Sequence, residues 1–329
     1  MFAVAAAQFS SFAAEPPAAA FHLQAESPEF WKLVDRKSQL TKVAGDFGFT
    51  EGPVWDDSGF LYVSDEGKNK IYRVYVDGRK LDSQKEELVS LGDPDGSTYD
   101  HRRRLIDCAS VLRAIIALTP DGKYTVLADR FEGKKFNSPN DVIVGPDGAL
   151  YFTDPTLDLA PGEKQEIPFQ GVYRLGVHGG VGGVNDNNIH DNDEGNVRLL
   201  SKDLTQPNGL AFSPDGKRFY VDDSAQRNIR VYDVAADGSL TNGRIFGQEP
   251  GGEHDGVPDG IKVDRKGNLF VTGPKGIWIW DPEGRHLGTI EMPEQPANLT
   301  WGDKDRRALY ITATTSVYRL RTKTVGFVP

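Results

Sequence analysis

The chain has 329 residues, 38% of them hydrophobic, which is ample for a large core. Its formal net charge of -10 argues against nucleic acid as a partner. A single cysteine, Cys108, excludes an internal disulfide and any Cys-based zinc site, and no apolar run reaches the ~18 to 20 residues of a membrane helix.

Taken in order, residues 1 to about 25 are Ala- and Pro-rich, and Ser11-Phe12-Ala13-Ala14 before Glu15 resembles a cleavage site. No Lys or Arg precedes Lys32, so the basic part of a secretory signal is missing. A truncated signal and a disordered tail both fit, which leaves a periplasmic or secreted location and a cytoplasmic one open. This stretch is set apart from a single domain over residues 26–329. Pro28 to Asp35 reads as a short helix or approach segment, and Gln39 to Ala44 as a strand.

From Glu51 onward one unit returns six times. Its clearest copies are EGPVWDDSGFLYVS from Glu51, NDVIVGPDGALYFT from Asn140 and DGIKVDRKGNLFVT from Asp259. Each reads as an apolar strand, a turn carrying Gly, and a second strand with an aromatic ring: a β-hairpin. The ring positions Tyr62, Ile106, Tyr151, Tyr220, Phe270 and Tyr310 are separated by 44, 45, 69, 50 and 40 residues. A period of roughly 40 to 50 residues with several strands per unit predicts an all-β, six-bladed β-propeller with four-stranded blades. The long interval holds an insertion, Gly176 to Asn196, whose Gly, Asn and Asp content predicts a surface loop. The strand before Glu51 is expected to pair with Val317 to Leu320 and close the ring.

Each copy also opens with an acid or amide at a fixed offset from its ring. Glu51, Asp95, Asn140 and Asp259 lie 11 residues before it, and Asn208 and Asn298 lie 12 before it. Equivalent positions of a closed repeat converge. Four of them, Glu51, Asn140, Asn208 and Asp259, form an all-oxygen set of charge -2 that suits one hard divalent cation: Ca2+ first, with Mg2+, Mn2+ or Zn2+ as alternatives. Asp95 and Asn298 are then outer contacts or substrate-binding groups. Asp141 and Asp154 are outer hydrogen-bond acceptors or strand-end turn residues.

Glu51-Gly-Pro, Ser138-Pro-Asn-Asp141, Tyr151-Phe-Thr-Asp-Pro155, Gln206-Pro-Asn-Gly209 and Pro258-Asp-Gly260 resemble, in order, the motifs of the SMP-30/gluconolactonase/luciferin-regenerating-enzyme family. The resemblance spans roughly residues 40 to 322. It implies one metal in the central channel, ligands at Glu51, Asn140, Asn208 and Asp259, an acid/base role for Asp259, and a small sugar lactone as substrate. Two positions depart from the pattern. Asp95-Gly96 stands where many members have Asn-Gly, and Ser138 where animal members have Arg. Both bear on substrate range.

The expected reaction is metal-assisted lactone hydrolysis, with Asp259 as general base toward water. The rivals are an organophosphate or aryl-ester hydrolase on the same scaffold and a non-catalytic ligand-binding propeller. Cys108 reads as a small buried hydrophobe, His254 as an exposed loop residue, and no Gly-x-Ser-x-Gly elbow supports a serine hydrolase. Oligomeric state is not readable.

Overall fold

Period-2 alternation of apolar residues around Gly-bearing turns makes each repeat an antiparallel meander with two buried faces. The computed structural model of the chain describes residues 20–76, 84–176, 197–252 and 254–328. Among the described residues six sheets form the blades, and a two-stranded ribbon, Arg130–Phe131 with Lys134–Lys135, lies outside them. Their innermost strands are Thr50–Asp56, Pro94–Tyr99, Val142–Val144, Pro207–Phe212, Ile261–Val263 and Pro296–Gly302, which define blades 1 to 6. Each innermost strand touches those of the two neighbouring blades, and the strand of blade 6 touches that of blade 1. The sheets therefore close around a channel.

Closure comes from the segment read as a strand before Glu51. Leu40–Ala44 forms the outer strand of blade 6, with Leu40 opposite Leu320 and Ala44 opposite Val317. The start of the chain contributes more than the sequence suggested. His22–Ala25 adds a fifth strand to blade 5, pairing His22 with Glu291 and Ala25 with Gly288. The last four residues of the stretch set apart at the N-terminus thus belong to the fold. Phe30–Leu33 is a short helix whose Phe30 and Leu33 are buried. The 176–196 insertion lies, beyond Gly176, outside the described residues.

The core follows from this geometry. Six apolar clusters lie between the blades, each joining two neighbours. Trp55 of blade 1 stacks on Tyr310 of blade 6 at 5.2 Å between ring centroids, and Tyr151 of blade 3 meets Phe212 of blade 4 edge-on at 4.8 Å. Truncating one such buried ring to Ala costs about 3–5 kcal/mol. Nearer the channel, hydroxyls tie blade to blade: Thr153 Oγ1 donates to the Asn208 carbonyl at 2.8 Å, and Thr272 Oγ1 to the Ala297 carbonyl at 2.6 Å. Cys108 is buried in the cluster between blades 2 and 3, a packing role.

Candidate active site

The site forms at the N-terminal ends of the innermost strands, where the chain turns inward. Glycine makes the approach possible at two of these ends. A Cβ on Gly52 would lie 2.1 Å from the Asp95 carbonyl oxygen, and one on Gly209 would lie 1.9 Å from that of Asp259. Gly52 also has φ +48°, a left-handed value. The residue before each glycine is consequently pressed against the next blade's equivalent residue, which is how Glu51, Asp95, Asn208 and Asp259 crowd one channel.

Glu51, Asn140 and Asn208 are buried, and Asp259 is half-buried. The amide nitrogen of Asn140 donates to Asp95 Oδ2 at 2.7 Å, and the side chain lowers the Asp158 carboxyl nearby. That of Asn208 donates to Ser224 Oγ at 3.3 Å, and the side chain lowers the Asp259 carboxyl beside it. With both nitrogens committed, each amide keeps its oxygen for another partner. Glu51 Oε2 accepts from the Gly52 amide at 2.6 Å and from Asn298 Nδ2 at 2.8 Å. Glu51 Oε1 is buried with no hydrogen-bond partner, an arrangement that costs free energy unless a cation meets it.

Electrostatics point the same way. Burial, then the like charge of Asp141, pushes the Glu51 carboxyl up to about 8. Burial, then Glu51, Asp141 and Asp158, raises Asp259. Burial and the carboxylates of Glu66, Asp158, Glu51 and Asp259 raise Asp95. Carboxylates that raise one another in this way are relieved by a bound proton or by a cation. Among the described residues no three His, Cys, Asp or Glu side chains gather closely enough to hold a metal by themselves. A cation here would therefore need amide oxygens as well as carboxylates, the donor set of Glu51, Asn140, Asn208 and Asp259.

The remaining predicted residues separate. Asp95 bears on the ring through Asn140. Asp154 serves the turn before Asn140 instead: its Oδ2 accepts the Asn137 amide at 2.9 Å, and its carbonyl accepts Asn137 Nδ2 at 3.1 Å. Asn298 is not the sixth member of the ring. The amides of Gly96 and Gly260 bond the carbonyls of Asn140 and Ala297, and the amides of Asp141, Gly260 and Asn298 bond Thr153, Thr272 and Thr312 Oγ1. Ala297 therefore occupies the ring position, and Asn298, like Asp141, takes the place of the glycine after it. Asn298 lowers the Asp141 carboxyl that burial raises, and the two side chains form a second tier beside the ring.

Lys262 completes that tier, with Nζ 3.2 Å from Asn298 Oδ1. Beyond it the channel widens into a cavity of about 290 Å³ at the opposite mouth, lined by Trp55, Tyr99, Phe212 and Trp301 among others. At the ring's own mouth stand Glu66 and Asp158, each raised chiefly by burial, Asp158 to about 6. Sequence reasoning missed Lys262, Glu66 and Asp158. Lys262 had a signal: it lies three residues after Asp259, where other repeats carry Val54, Thr98, Ile143 and Ala211. Glu66 and Asp158 sit in loops outside the repeat register and had none. His254 is exposed.

Fold and site together define a six-bladed propeller with an acid-and-amide ring in its channel. The SMP-30/Gluconolactonase/LRE-like region matches residues 49–315, so the chain belongs to that family. It is 33% identical over 323 residues to a gluconolactonase of Zymomonas mobilis, covering 91% of this chain and 86% of that one. It is 25% identical over 281 residues to the diisopropyl-fluorophosphatase of Loligo vulgaris, covering 79% and 84%. The structure of a gluconolactonase from Xanthomonas campestris superposes with a TM-score of 0.79 at 28% identity, covering 94% of this chain and 99% of that one.

Proposed function

We propose that this protein is a lactonase that hydrolyses a sugar lactone in the channel of the propeller, with one divalent cation, Ca2+ first, held by Glu51, Asn140, Asn208 and Asp259. The observation that carries the reading is the bare, buried Glu51 Oε1 beside two amides whose nitrogens are already bonded. The full-length likeness to gluconolactonases supports the substrate class.

A bound cation supplies Lewis acidity to the lactone carbonyl and charge for the developing oxyanion. The chain's own residues do the rest. Asp259 is raised by burial and by the carboxylates around it, and it is the carboxylate assigned to take a proton from the attacking water. Asn208 lies beside that carboxylate and favours its charged form. Asp95 fixes the amide of Asn140. The burial of Glu51, Asn140 and Asn208 limits the water that reaches the site.

A second reading has one observation in its favour, the likeness to a diisopropyl-fluorophosphatase. Organophosphate hydrolysis would use the same ring. The test is turnover of a panel of aldonolactones, an aryl ester and diisopropyl fluorophosphate by one preparation. A higher kcat/KM for aldonolactones supports the lactonase; a higher value for the fluorophosphate replaces it; turnover of none leaves a binding propeller.

A further inference from the structure

We infer that Lys262 is a positioning residue for the cation site, acting on Glu51 through Asn298. The inference rests on the cation reading above and names a determinant of affinity outside the ligand set.

The argument starts from the repeat. The third residue after each ring position pairs across the hairpin with the aromatic position: Val54 with Tyr62, Ile143 with Tyr151, Lys262 with Phe270. These third residues line the cavity behind the ring, and Lys262 is charged where Val54, Thr98, Ile143, Ala211 and Thr300 are neutral. An ammonium at a half-buried position needs a partner. Lys262 Nζ finds one in Asn298 Oδ1, at 3.2 Å.

That contact has a directional consequence. Asn298 Oδ1 also accepts the Leu299 amide at 2.8 Å. With its oxygen held by two donors, Asn298 must present its nitrogen to the ring, and Nδ2 donates to Glu51 Oε2 at 2.8 Å. Oε2 also holds the Gly52 amide, so Oε1 alone remains for a cation. The chain Lys262–Asn298–Glu51 therefore selects which carboxylate oxygen is free. Outer contacts of this kind typically change metal affinity about 10- to 100-fold.

Lys262 also carries a positive charge near a cation site, and that direct effect has the opposite sign. Removing it would tighten metal binding by Coulomb's law alone, whereas losing the orientation of Asn298 would weaken binding. The experiment is calorimetric titration of Ca2+ into wild type, Lys262→Gln, Lys262→Arg, Asn298→Ala and the Lys262→Gln/Asn298→Ala double variant, with a thermal melt of each to confirm folding. Expected are about tenfold weaker binding for Lys262→Gln and Asn298→Ala, near-wild-type binding for Lys262→Arg, and a double variant no weaker than Asn298→Ala, since both residues act in one chain. Unchanged or tighter binding in Lys262→Gln, or fully additive losses, overturns the inference and leaves the cation reading intact. Wild type that binds no Ca2+, Mg2+ or Mn2+ overturns the cation reading, and this inference with it.

Discussion

Asn140 and Asp95 stand 45 residues apart, on neighbouring blades, and the amide nitrogen of Asn140 lies 2.7 Å from Asp95 Oδ2. The contact fixes the amide so that its oxygen, not its nitrogen, is free toward the channel. Asp95→Ala removes the acceptor and lets the amide rotate. The expected result is about 10- to 100-fold weaker divalent-cation affinity by calorimetry, the range for an outer partner of a ligand. Affinity equal to wild type would mean that Asn140 is not a ligand.

Asp259 and Glu51 are assigned different duties, and two isosteric variants separate them. Asp259→Asn keeps an oxygen but cannot accept a proton at neutral pH. Cation binding should weaken yet survive, while turnover at saturating metal should fall by roughly 10²- to 10⁴-fold, the usual contribution of a positioned base. Glu51→Gln should lose affinity and recover most of its activity at high metal concentration. Near-normal turnover of metal-saturated Asp259→Asn would remove Asp259 as the base.

The mouth of the ring is acidic beyond its own needs. Glu66 interacts with Glu51, Asp158, Asp93 and Asp259, and one divalent cation balances only two of these charges. A neutral lactone should therefore be strongly preferred over its 6-phosphate. Replacing Glu66 and Asp158 with Gln and Asn should shrink the kcat/KM ratio between the two by about tenfold, the size of one close like-charge contact. A ratio unchanged by both substitutions would place the substrate elsewhere.

Asp154 gives a pH prediction away from the ring. Burial raises its carboxyl to about 8, against the Asn137 amide and Arg113, whereas an unfolded Asp titrates near ~3.9. Between these values the folded chain binds the extra proton. The contribution is thus fully present below about pH 4 and is lost as pH rises through about 8. Asp154→Asn, which keeps an acceptor for the Asn137 amide and stays neutral, should gain in Tm relative to wild type as pH increases from 5 to 8. A difference that does not vary with pH would contradict the assignment.

Much of this was legible in the sequence because a repeat reports the same fact several times. Gly turns between alternating strands gave the hairpins, the spacing of Tyr62, Tyr151, Tyr220 and Tyr310 gave the blades, and Glu51, Asn140, Asn208 and Asp259 were marked by a shared offset. Asn298 was misplaced by one residue for a physical reason. Trp301 pairs with Leu309 across a turn two residues longer than the one between Trp55 and Leu61, so counting back from Tyr310 stops short of Ala297. The strand His22–Ala25 was hidden because it joins blade 5 after most of the chain has intervened, with no copy of the repeat to announce it. Glu66 and Asp158 come from loops, where position is set by tertiary structure and no period exists to read.

The most direct test of the account is acid release from a neutral aldonolactone by the purified chain, measured before chelation, after exhaustive chelation with metal absence confirmed by elemental analysis, and after re-addition of Ca2+, Mg2+ or Mn2+. The account predicts turnover that disappears on chelation and returns with a divalent cation, and that Glu51→Gln regains only at higher metal concentration. Full turnover by the metal-free protein would contradict it.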